Sequence, residues 1–154
     1  MTRRPTAAWR DRRGSVAMEL AIMAPVLCAM LFTGWDIGQG FAMKLDLEQA
    51  AGRTAELATA PGTVAATYAN LTQEVIQAYG KPYHSAVVEN WLECGGTKQG
   101  SFSTVCPEGT QIVRYVSVRI DAEFVPYFNY GGLLSGSGPN GGFITRGDAV
   151  VRIQ

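Results

Sequence analysis

Histidine is almost missing from this 154-residue chain, with His84 as its single copy. A Ser-His or Cys-His mechanism would have to use that residue with a nucleophile that nothing in the sequence marks, so hydrolytic and redox catalysis lack a recognisable constellation. Cysteine is scarce as well, at Cys28, Cys94 and Cys106. Metal sites favour close Cys or His pairs, and here Cys94 and Cys106 stand well apart with only His84 to join them, so no metal and no cofactor is expected. The glycine-rich stretch 131–142 has no Lys-Ser or Lys-Thr after it and no helix to present amides, which excludes a phosphate loop and leaves a turn. The chain is read as a non-enzyme.

Net charge is missing too, but the zero hides an asymmetry. Thirteen Lys and Arg balance thirteen Asp and Glu. Residues 1–14 carry five arginines (Arg3, Arg4, Arg10, Arg12, Arg13) against Asp11 alone, a net +4, while the remaining eight cations face twelve carboxylates, a net −4. The larger piece is acidic, which argues against nucleic acid as a partner. Disorder is excluded by composition, since 47% hydrophobic residues with three Trp, six Tyr and six Phe can bury a core. The length suits one domain and not a multi-domain enzyme.

Charge is absent over one long interval. Leu20 to Trp35 is a run of sixteen uncharged residues, and extension back to Val16 gives twenty with Glu19 as the sole carboxylate. Twenty helical residues rise roughly 30 Å, the thickness of a bilayer's hydrocarbon core. The run has no polar stripe, as a soluble core helix would. The arginines before it and Asp36, Asp46 and Glu48 after it predict a cytoplasmic N-terminus and an exported C-terminus in a single-pass inner-membrane protein. A cleaved secretory signal does not fit, because Ala58-Thr59-Ala60 lies more than twenty residues past the run and precedes Pro61.

At the junction stands Arg12-Arg13-Gly14-Ser15-Val16-Ala17-Met18-Glu19-Leu20. A carboxylate at the entry to a spanning helix is costly and needs a reason. Taken alone, Glu19 also fits a headgroup-level charge favoured by the helix dipole, with Gly14 loosening the chain ahead of it. The segment resembles a type IV prepilin-like leader. That resemblance implies cleavage between Gly14 and Ser15 by a prepilin peptidase, with Glu19 at the fifth mature position facing the α-amino group of a neighbouring subunit's Ser15.

Glu19-Leu20-Ala21-Ile22-Met23-Ala24-Pro25-Val26-Leu27 is similar to the start of TadE-like and TadG-like minor pilins of tight-adherence (Tad/Flp) pilus systems, and Gln49-Ala50-Ala51-Gly52-Arg53-Thr54-Ala55 is similar to the segment that follows their membrane helix. The resemblance covers residues 10–60. The chain departs from major Flp pilins in having Glu-Leu where they carry Glu-Tyr and about a hundred residues after the helix, which points to a minor pilin or pseudopilin. It implies a role in pilus assembly, with the peptidase, other pilins, the secretin channel and the lipid bilayer as partners.

Within the span, Pro25 removes one helical hydrogen bond and is expected to kink the helix. Gly34, Gly38 and Ala42 recur every fourth residue, a spacing that lets another helix approach closely. Trp35 and Phe41, with Lys44 beyond, fit an interfacial anchor. Cys28 is a lipid-facing or helix-packing residue.

The predicted organisation is a basic leader (1–14), a transmembrane helix (15–41), a helical stalk (42–60) and an α+β head (61–154). Thr63 to Tyr79 predicts a second helix with an apolar stripe of Tyr68, Leu71, Val75 and Tyr79. Ala86 to Trp91 is a candidate strand. Val116, Val118, Ile120, Ala122 and Phe124 alternate with polar residues in the clearest strand of the chain, and Phe143 to Ile153 reads as its returning partner. An antiparallel sheet of three or more strands against the second helix follows. In an oxidising compartment Cys94 and Cys106 are expected to form a disulfide. Arg146-Gly147-Asp148 matches an adhesion tripeptide, but its place in a predicted strand makes that a coincidence.

Overall fold

Alanine and leucine are the commonest residues between Arg13 and Ala58, and Pro25 is the single proline there, so helix propensity favours one long element. In the computed structural model, which describes residues 13–60, 68–128 and 136–153, α1 runs unbroken from Arg13 to Ala58 with Pro25 inside it. Its 46 residues extend roughly 70 Å. The helix ends in a tightened turn, where the Thr59 and Ala60 amides donate to the carbonyls three residues back, Glu56 and Leu57. The leader up to Arg12, residues 63–67 of the expected second helix and the Gly131–Gly132 turn lie outside the described residues.

The second helix, α2, spans Tyr68–Tyr79. The strands are β1 (Ser85–Cys94), β2 (Thr97–Lys98), β3 (Ile112–Phe124) and β4 (Phe143–Arg152). They form one four-stranded antiparallel sheet in the order β2-β1-β3-β4. The architecture is α+β, as the residue patterns predicted. β2 is an addition. Its hairpin turn is Gly95-Gly96, and both residues have positive φ (57° and 82°), the conformation that two-residue hairpins require and side chains resist.

Register decides which face is buried. Val118 pairs with Val88 and Ala149, and Val116 pairs with Asn90 and Val151, so every second residue of β1, β3 and β4 faces the helices. Val116, Val118, Ile120 and Ala122 are fully buried there with Leu71 and Val75 of α2 and Leu47, Ala50, Ala51, Ala55 and Ala58 of α1. Burying each large aliphatic side chain contributes ~1.5–3 kcal/mol. The segment expected as a stalk is thus the spine on which the head is built.

Contact at that spine depends on one glycine. A Cβ at Gly147 of β4 would collide with the backbone of Leu47 and Glu48 in α1. Its absence lets strand and helix lie against each other.

Candidate functional site

One face of α1 carries the head. Phe32, Asp36, Gly40, Met43, Leu47, Ala50, Thr54 and Ala58 recur every three or four residues, a spacing that aligns them along one side of a helix. Phe32 stacks on Phe128 with ring centroids 4.6 Å apart. Gly40 lies against the Phe124 ring, and Thr54 is buried with its hydroxyl donating to the Ala50 carbonyl at 2.9 Å.

The expected helix-packing residues sit on the other side. Gly34, Gly38 and Ala42 follow Phe32, Asp36 and Gly40 by two residues each, about 200° around the axis. All three are exposed, and among the described residues no atom beyond the neighbouring helix backbone lies within 4 Å of where a Cβ would stand at Gly34 or Gly38. The structure therefore brings these residues onto one uncovered face and keeps them clear of the head.

Glu19 is exposed near the helix start, and Gly14 and Ser15 belong to the first turn of α1. The most apolar 18-residue window of α1 has a mean hydropathy of 2.0, and none of it is buried by the other described residues. Cys28 is exposed within it.

Asp36 ends the uncharged run, and charge patterning alone marks it only as an acidic flank. It is 3% exposed. Its carboxylate accepts hydrogen bonds from the backbone amides of Tyr127 (3.1 Å) and Phe128 (3.3 Å). The segment after β3 is thereby pinned to α1 at the level of Phe32. The available signal was the spacing of Asp36, four residues from both Phe32 and Gly40, but the partner segment carries no pattern that would have identified it.

Polar contacts secure the rest of the head to α1. Lys44 donates to the Arg146 carbonyl at 2.5 Å and pairs with Glu48 at 2.9 Å, the same-face relationship that their spacing implies. Lys81, between α2 and β1, pairs with Asp46 at 2.5 Å. The hydrogen bond from Lys81 and its charge partnership with Asp46 raise the lysine above its ordinary pKa.

On the sheet, Arg146 grips Asp121 through two nitrogen–oxygen contacts of 2.8 and 3.2 Å. That hydrogen bonding lowers the Asp121 carboxyl below its usual range against the opposing effect of burial, with further help from Ser85. Burial also raises Glu123, but hydrogen bonds from Gly142 and Asn140 outweigh it and leave that carboxyl lowered. The Arg-Gly-Asp tripeptide is thus engaged within the fold, Arg146 with Asp121 and Gly147 against Leu47.

Cys94 and Cys106 form a disulfide, with Cα atoms 5.6 Å apart, at the end of the sheet far from Phe124. On the face away from the helices, Trp91 stacks on Tyr115 at 5.2 Å and Lys98 lies 4.9 Å over the Trp91 ring. Among the described residues, no group of three His, Cys, Asp or Glu side chains could hold a metal ion.

The family described as TadE-like protein matches residues 14–56. Over that stretch the chain is TadE-like. The match begins at Gly14 and covers nearly all of α1, including both the lipid-length apolar run and the first part of the head's spine. The TadE-like match and an apolar helix long enough to cross a membrane thus coincide in α1. No curated protein and no solved structure matches the chain.

Proposed function

We propose that this TadE-like protein is a minor pilin or pseudopilin, cut between Gly14 and Ser15 by a prepilin peptidase, that takes part in assembling a Tad/Flp adhesion pilus. The observation that carries this reading is the division of α1 into two faces. One is occupied by its own head, and the other, with Gly34, Gly38 and Ala42 exposed, is open to another helix. Glu19, exposed on the same helix, would meet the amine of a neighbouring subunit's Ser15 and so set subunit register.

In this reading the leader (1–14) is cytoplasmic, the span covers residues 15–41, and the head lies on the periplasmic side. The arginine-rich leader favours that orientation, and a disulfide between Cys94 and Cys106 suits an oxidising compartment. Partners are the peptidase, other Tad/Flp pilins with their assembly machinery, and the bilayer.

The deciding experiment is the intact mass and N-terminal peptide of the membrane-extracted protein from cells with and without the prepilin peptidase. A terminus at Ser15 that depends on the peptidase is expected. Retention of all five leader arginines in both strains would instead make this an uncleaved anchor with a periplasmic partner-binding domain. Glu19→Lys should abolish piliation while leaving membrane insertion intact.

A further inference from the structure

The hydrophobic surface of α1 does not stop at the boundary of the head. Leu31, Phe32 and Trp35 of the helix join Tyr127 and Phe128, from the segment after β3, around an open groove of about 570 Å³. None of these five side chains is charged. Trp35 is 63% exposed, Tyr127 78% and Leu31 73%.

The depth of this patch follows from the span. The arginines up to Arg13 and the carboxylate of Glu19 resist moving inward, so a hydrocarbon layer of about 30 Å takes roughly twenty residues counted from Val16 or from Leu20. Either start places Phe32 inside the layer and Trp35 at or within its outer edge. Phe128 is stacked 4.6 Å from Phe32, so it must share that depth.

Asp36 gives the second reason. It is the first charge after the run, and a carboxylate at the edge of a hydrocarbon layer is costly unless its oxygens are satisfied. The Tyr127 and Phe128 amides donate to those oxygens. The same two residues therefore satisfy the carboxylate and turn aromatic rings outward beside Trp35, a composition favoured at the bilayer interface.

We propose that Tyr127 and Phe128 form a lipid-inserted wedge, continuous with Leu31, Phe32 and Trp35 of the span, that seats the head on the outer face of the bilayer. The inference rests on the reading of α1 as a bilayer span. The occupant of the groove is the interfacial layer of phospholipid, because the patch is uncharged, adjoins the span and lies at its depth.

Single-tryptophan proteins of full length test this in phosphatidylcholine vesicles brominated near the headgroup end of the acyl chains. Trp9→Phe with Trp91→Phe leaves Trp35 as the probe of the span. Trp9→Phe with Trp35→Phe leaves Trp91 as the probe of the distant sheet face. Tyr127→Trp in a background of Trp9→Phe, Trp35→Phe and Trp91→Phe reports on the wedge, and Phe128→Trp in the same background reads it from the neighbouring position should the first variant fold poorly.

Bromine should quench the probe at 127 or 128 as strongly as Trp35 and leave Trp91 unquenched. Quenching of Trp35 with a wedge probe as bright as Trp91 would overturn the wedge and spare the span. An unquenched Trp35 would remove the span and the wedge together.

Discussion

The carboxylate of Asp36 accepts a hydrogen bond from the amide of Tyr127 at 3.1 Å, joining positions 91 residues apart. With the bond from Phe128, it fixes the lower end of the head to α1. Asp36→Leu would remove the carboxylate that both amides bond, and a hydrogen bond to a charged group contributes ~1.5–3 kcal/mol. Amide exchange at Tyr127 and Phe128 should accelerate roughly ten- to a hundredfold, while exchange in the centre of β3 stays slow. Equal exchange in both proteins would show that the contact has no structural weight.

Two glycines of the interface should respond differently to the same change. At Gly147 an added methyl meets the backbone of Leu47 and Glu48, which cannot rotate away, and overpacking of this kind costs about 1–3 kcal/mol. At Gly40 the nearest atom to the new methyl is 3.6 Å away, in the Phe124 ring, an ordinary contact. Gly147→Ala should lower the melting temperature of the head clearly, and Gly40→Ala should leave it unchanged or slightly raised. Thermal unfolding of the detergent-solubilised protein compares them directly.

The disulfide closes a segment whose ends are 12 residues apart in sequence. A cross-link of this kind contributes ~2–4 kcal/mol, chiefly by restricting the unfolded chain. Cys94→Ser should melt earlier than the unsubstituted protein under oxidising conditions and lose nothing further on addition of reductant. The unsubstituted protein should fall to the level of the variant once reduced.

Acid should weaken the head through Asp121. Hydrogen bonding from Arg146 lowers its carboxyl in the folded state, so its contribution is complete above the ordinary carboxylate value of about 4 and is lost as the pH falls toward the lower folded value. Glu123, lowered by its bonds from Gly142 and Asn140 despite desolvation, acts in the same direction. Asp121→Asn should reduce stability at neutral pH and flatten the decline between about pH 5 and pH 2. Melting temperature as a function of pH separates the two proteins.

Much of the architecture was legible in local pattern. The alternation Val116, Val118, Ile120, Ala122 reports a half-buried strand because a strand repeats every two residues, and these side chains are all buried. Tyr68, Leu71, Val75 and Tyr79 report the inner face of α2 for the corresponding helical reason. The two-residue strand Thr97–Lys98 is not legible in the sequence, because it is too short to display a period and exists through its pairing with Glu93 and Cys94.

The amino-acid order by itself determined the long apolar helix and the three longer strands of the sheet, since each rests on propensity or periodicity among near neighbours, and it carries the resemblance of Gly14, Glu19 and Pro25 to a TadE-like start. Tertiary structure decided which face of α1 the head would occupy. That choice turned a presumed stalk into a core and left Gly34, Gly38 and Ala42 uncovered. It also brought Asp36 to Tyr127 and Gly147 to Leu47, pairings set by how a sheet packs across a helix, which no local period along the chain encodes.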